Sequence, residues 1–129
     1  MKHEALTDKI IGAFYKVYNT LGYGFLEKVY ENAMAIELRK LGLQVLCQHP
    51  IQVFYDDQVV GDYVADLIVE DAVIVELKAV RQLAQEHEAQ LLNYLNATHH
   101  EVGLLFDFGP KPTFARKVFD NERKRYHTS

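Results

Sequence analysis

A single cysteine, Cys47, stands in the chain of 129 residues, so no internal disulfide can form and a reducing cytosol is the compartment it suits. No apolar run approaches the roughly 20 residues that a helix needs to cross a bilayer. The opening Met1-Lys2-His3-Glu4-Ala5-Leu6-Thr7-Asp8 lacks the hydrophobic centre of a secretion signal. These absences predict a cytoplasmic protein with no membrane role. Positive charge is also short: 14 lysines and arginines against 18 acids leave a net charge of −4, which argues against a broad nonspecific grip on a polyanion. No Gly-rich phosphate loop is present, because Gly22-Tyr23-Gly24 lacks the Lys-Ser/Thr that such a loop needs. Repeats, low-complexity tracts and linkers are missing too. The chain is most simply one domain over 1–129, with a core over about 8–119 and a basic tail over 120–129.

What is there is ordinary for a globular chain, 49% apolar and 25% charged. Ile10, Ile11, Phe14, Val17, Tyr18 and Leu21 follow helical spacing, with Thr7 as the expected N-cap. Gly22 and Gly24 break that helix. A second is predicted from about Phe25 to Leu41, with Leu26, Val29, Tyr30, Ala33, Ile36 and Leu41 inward and Gly42 as its stop. The period then changes to two. Val45 to Cys47 and Ile51 to Tyr55 read as two strands parted by His49-Pro50, and Asp56-Asp57-Gln58 as a turn. Tyr63 to Val69 and Ala72 to Ala79 are apolar on both faces, as central strands of a covered sheet are. A helix over about Leu83 to Asn96 and strands at Val102 to Phe106 and Phe114 to Phe119 complete an α/β fold. More narrowly, it is an α+β arrangement with one mixed sheet and helices against it.

Inside the two central strands stand Asp66, Glu76 and Lys78. Charged side chains are seldom buried unless paired or bound to a metal. A two-residue turn at Glu70-Asp71 would send Asp66 and Glu76 to opposite faces. A three-residue loop, Glu70-Asp71-Ala72, pairs Val69 with Val73 and sets Asp66 opposite Glu76, with Lys78 on the same side; that loop is predicted. Two carboxylates suit Mg²⁺, with the Leu77 carbonyl a natural third ligand, and a neighbouring ammonium suits charge compensation at a reacting phosphate. The bland account is an ion pair between Lys78 and an acid that merely fixes the sheet. Adjacent His99 and His100 are expected to diverge and carry no metal.

Asp66…Glu76-Leu77-Lys78, preceded by Gly24-x-x-Glu27-x-x-Tyr30 and followed by Gln90-x-x-x-Tyr94, resembles the GxxExxY family of the PD-(D/E)XK nuclease-like superfamily over roughly Ile10 to Phe119. Ala65 stands where the superfamily's name has proline, which ligates nothing. The resemblance implies a restriction-endonuclease-like core and a nuclease dependent on Mg²⁺ (or Mn²⁺) that hydrolyses phosphodiester bonds of DNA, with RNA an open alternative. It implies Asp66, Glu76, the Leu77 carbonyl and Glu27 as metal ligands, and Lys78, Glu76, Asp66, Glu27 and Gln90 as the catalytic set. Gln90 and Tyr94 would contact the nucleic-acid backbone. Six of the 14 basic residues lie between Lys111 and Arg125, which marks Arg116 and Lys117 as further contacts. The small, acidic chain leaves little surface for gripping a duplex, which calls for a homodimer or a protein partner. The alternative reading is a catalytically silent module of this fold that binds nucleic acid or protein.

Overall fold

The computed structural model describes residues 2–124. Helices α1 (Glu4–Leu21) and α2 (Glu27–Lys40) come first, then strands β1 (Val45–Tyr55), β2 (Gln58–Val69) and β3 (Val73–Lys78). Helix α3 (Gln85–Asn96) crosses to β4 (Val102–Asp107), β5 (Thr113–Val118) follows, and a short 3-10 turn closes the described chain at Asn121–Arg123. The strands lie in the order β1-β2-β3-β4-β5, with β3 and β4 parallel and the other neighbours antiparallel. This is the mixed sheet flanked by helices that the pattern predicts.

Helices α1 and α2 cover one face. Ile10, Phe14, Val17, Tyr30, Met34 and Leu38 pack there on Leu67, Val69, Val73, Val75, Leu77, Leu104 and Phe106. The other face takes α3, whose Leu91, Tyr94 and Leu95 meet Ile68, Ile74 and Leu105. Alternate residues of β2, β3 and β4 therefore feed two cores, and all six residues of β4 are buried. Each large side chain so removed from water contributes about 1.5–3 kcal/mol. Phe14 stacks on Phe106 at 4.4 Å, and Tyr30 on Phe108 at 4.3 Å.

The pattern is corrected in three places. Thr7 is not a cap: α1 begins at Glu4, and the Thr7 hydroxyl donates to the Glu4 carbonyl at 3.0 Å inside the first turn. The two short strands around His49-Pro50 are one, β1, so only three strands precede α3. Pro50 is accepted because β1 is an edge strand, where one row of backbone groups has no ladder partner to lose. The buried stripe of α2 is Tyr30, Glu31, Met34, Ala35 and Leu38, whereas Leu26, Val29, Ile36 and Leu41 are exposed. The helix is rotated by about one position from its apolar stripe, which brings an acid inside. Its stop is as expected: Gly42 has φ 81°, and the Leu43 N–H reaches back to the Leu38 carbonyl at 3.2 Å.

Candidate active site

The loop between β2 and β3 has the predicted three residues. Val69 pairs with Val73, Ile68 with Ile74 and Leu67 with Val75. Glu70 and Asp71 take left-handed backbone angles, φ 55° and 49°, and the Ala72 N–H donates to the Val69 carbonyl at 3.0 Å. This register puts Asp66 opposite Glu76. The main-chain ladder stops at Leu67, and the two carboxylates replace it. The Asp66 N–H donates to Glu76 Oε2 at 2.7 Å, and the Leu77 N–H donates to Asp66 Oδ2 at 2.8 Å. Each acid thus holds an amide of the opposite strand.

Burial raises the Glu76 carboxyl to about 8, with the negative charge of Asp66 adding to the effect. Asp66 is also raised by burial, only partly offset by the Leu77 amide it accepts from. Lys78, half-buried two residues along β3, favours the charged form of both acids. Among the described residues it enters no ion pair. A static Lys78 salt bridge therefore does not account for these charges. Leu77 keeps its side chain in the core of the α1–α2 face.

A third acid comes from α2, and it is one that the sequence pattern overlooked. Glu31 is only 4% exposed, and its charge acts on both Asp66 and Glu76. Lys28 donates to Glu31 Oε2 at 2.8 Å, and the Gln48 amide donates to Glu31 Oε1. Gln48 has φ 54° within β1 and also reaches Asp66 Oδ1 at 3.5 Å, so it bridges the helix acid to the strand acid. Glu27 is exposed on the first turn of α2 and lines a cleft of about 590 Å³ with Lys28, Val80 and Arg81. Tyr30 serves the fold: its hydroxyl donates to the Gly22 carbonyl at 2.7 Å and accepts from the Phe25 N–H at 3.2 Å. The signal for Glu31 was its place directly after Tyr30, on the stripe that the core selects.

On the other face Gln90 and Tyr94 share a cleft of about 490 Å³ with Val53, Tyr63 and Glu86. Tyr94 is buried, and its phenol is pushed up to about 12 by burial and by the charges of Glu76 and Asp66. Its ring lies 5.6 Å from that of Tyr63, an aromatic neighbour that the pattern did not single out. Arg116 and Lys117 are not gathered here. They sit on β5, two strands from β3, where Arg116 donates to the Lys2 carbonyl and Lys117 pairs with Glu88. Lys124 is held by the carbonyls of Thr98 and His100, and Arg125 lies outside the described residues.

The expectation that His99 and His100 diverge fails. Their rings lie 4.0 Å apart, and both Nε2 atoms approach Asp71 Oδ1, at 3.2 and 3.0 Å. This cluster stands at the start of β3, at the end away from Lys78.

A family model described as the PD-(D/E)XK nuclease superfamily matches residues 4–118. The crystal structure of SSO0001 resembles this fold with a TM-score of 0.57 at 16% identity, over 72% of this chain. The match spans half the length of SSO0001, and at that identity the likeness concerns the fold alone. No curated protein matches the chain. Among the described residues no helix is long and apolar enough to cross a membrane.

Proposed function

The chain belongs to the PD-(D/E)XK nuclease superfamily, and on that premise we propose that it hydrolyses phosphodiester bonds of DNA, using Mg²⁺ or Mn²⁺ held by Asp66 and Glu76. Within the superfamily, the Gly24-x-x-Glu27-x-x-Tyr30 motif favours the GxxExxY group. The observation that carries the reading is the carboxylate pair facing across β2 and β3, with an ammonium close by that no ion pair among the described residues claims.

The donor set fits such an ion. Burial, and then the charge of Asp66 beside it, keep Glu76 protonated up to about 8 when no cation compensates the two hard carboxylates. A buried acid that resists ionisation is a group that a divalent cation would deprotonate. Asp66, Glu76 and the Leu77 carbonyl would hold the ion, with Glu31 completing the acid set from the buried side or Glu27 from the cleft at the start of α2. When bound, the ion would polarise the phosphate and acidify a coordinated water.

The remaining roles fall to this chain's own groups. Lys78 orients the attacking water and offsets the negative charge that grows on the phosphate oxygens. Tyr94, whose phenol stays protonated at neutral pH, donates to a backbone phosphate, and the Gln90 amide beside it does the same. With a net charge of −4 and Arg116, Lys117 and Lys124 already engaged, grip on a duplex falls to a second copy or a protein partner. A cytoplasmic location is part of the same proposal.

Cleavage of end-labelled single- and double-stranded DNA in Mg²⁺ tests the proposal. Lys78→Ala is expected to lose at least about 100-fold in rate with an unchanged melting temperature. Undiminished cutting by that variant would remove Lys78 from the chemistry. Calorimetric titration with Mn²⁺ should show binding that disappears in Asp66→Ala. A parent protein that neither binds Mn²⁺ nor cuts is the silent module.

A further inference from the structure

A second cluster of metal-ligating side chains lies outside the candidate active site. Because β3 and β4 are parallel, with Val73 beside Val102, the turn before β3 and the link before β4 emerge at the same edge of the sheet. The turn contributes Asp71, and the link contributes His99 and His100. Ligand atoms of all three lie within 4.8 Å of one another. The site is five residues of β-strand from Glu76, roughly 15 Å away at the rise of an extended chain.

We propose that Asp71, His99 and His100 form a Zn²⁺ site, separate from the Asp66–Glu76 pair, that clips the β2–β3 turn to the link between α3 and β4. Zn²⁺ holds imidazole nitrogen and carboxylate oxygen at about 2.0–2.1 Å in a tetrahedron, which sets neighbouring donor atoms about 3.3 Å apart. The two Nε2 atoms stand 3.2 and 3.0 Å from Asp71 Oδ1, already close to that spacing. Two imidazoles and one carboxylate select zinc over Mg²⁺, which takes oxygen donors almost alone.

The surroundings hold the donors in place. His100 is buried, and its Nε2 meets Asp71 Oδ1 at 3.0 Å. Among the described residues His100 Nδ1 has no hydrogen-bond partner, and packing and Asp71 position that ring. Lys124 fixes the link backbone through the Thr98 and His100 carbonyls, at 2.8 and 2.6 Å. His99 and Asp71 are both exposed, so the fourth zinc position opens to solvent and would carry water.

The two turn residues with positive φ, Glu70 and Asp71, lie beside β3, the strand that bears Glu76 and Lys78. A zinc clip there would stabilise the hairpin register without touching the reacting end.

Titration of the untagged full chain with ZnCl₂, in excess Mg²⁺, tests this by calorimetry and by thermal melting. One zinc equivalent is expected for the parent and for Glu76→Gln, with a raised melting temperature. Asp71→Ala and His99→Ala alter exposed side chains that the core does not need. Each should weaken zinc at least tenfold and abolish the thermal gain. With Co²⁺ the parent should show the intense visible absorption of a four-coordinate site, and His99→Ala should not. No saturable zinc binding by the parent, unchanged affinity in both variants, or loss confined to Glu76→Gln would each overturn the proposal. None of these outcomes depends on whether DNA is cut.

Discussion

Replacing Glu76 by glutamine gives the sharpest test of the electrostatics at the carboxylate pair. Its carboxyl moves from 4.5 to about 8 on folding, chiefly through burial and then through the charge of Asp66. At about 1.4 kcal/mol per tenfold, that displacement amounts to roughly 5 kcal/mol against the folded state once Glu76 is ionised. Local relaxation lowers the realised figure to about 2–4 kcal/mol. The sign follows from the direction. The folded value lies above the unfolded one, so the contribution is fully present below pH 4.5 and is lost as pH rises towards 8. Glutamine cannot ionise, yet its carbonyl can still accept the Asp66 N–H that Glu76 Oε2 now accepts at 2.7 Å. Glu76→Gln should therefore match the parent near pH 4.5 and exceed it by about 2–4 kcal/mol at pH 8 in a chelator. Urea unfolding at both values measures this. With a slope of about 1–2 kcal/mol per molar, the midpoint at pH 8 should rise by at least about 1 M. Added Mn²⁺ should then stabilise the parent at pH 8, by about 2.7 kcal/mol at a hundred times its Kd, and leave the variant unmoved. A difference that stays constant from pH 4.5 to 8, or a variant no more stable at pH 8, would refute the assignment of a suppressed charge to Glu76.

Three further substitutions test neighbouring parts of the molecule. Glu31→Gln should weaken Mn²⁺ binding at least about tenfold, and Glu27→Gln by less, because Glu31 is the α2 acid whose charge reaches Asp66 and Glu76; the reverse order would return that role to Glu27. Gly109→Ala should cost about 3 kcal/mol or more in urea unfolding, because its Cβ would stand 1.8 Å from the Val80 carbonyl oxygen. That clash also disturbs the Asp107 carboxylate, which holds the Val80 and Gly109 amides. A loss under about 1 kcal/mol would mean that this loop yields more freely than its packing implies.

Sequence alone determined the succession of elements apart from β1, which read as two strands, the glycine stops at Gly22, Gly24 and Gly42, and the loop length between β2 and β3. Each is set by chain neighbours: hydrophobic period, backbone angles open to glycine, and the rule that one residue of slip turns a strand over. The demand that Asp66 and Glu76 meet selected the three-residue loop, and the observed register agrees. Other features were decided by residues far apart in the chain. The apolar stripe of α2 pointed to Leu26, Val29 and Ile36, but the sheet and α1 take a face that includes Glu31. Pro50 stays within a strand because β1 lies at the edge of the sheet, which depends on what pairs beyond it. Local geometry implied that His99 and His100 diverge; the turn that carries Asp71 draws both Nε2 atoms to one oxygen. Arg116 and Lys117 read as nucleic-acid contacts, whereas the fold supplies the Lys2 carbonyl and Glu88 as their partners. Local periodicity specifies which segments are helix or strand, whereas the partner of a charge is set by packing between segments, which no short window contains.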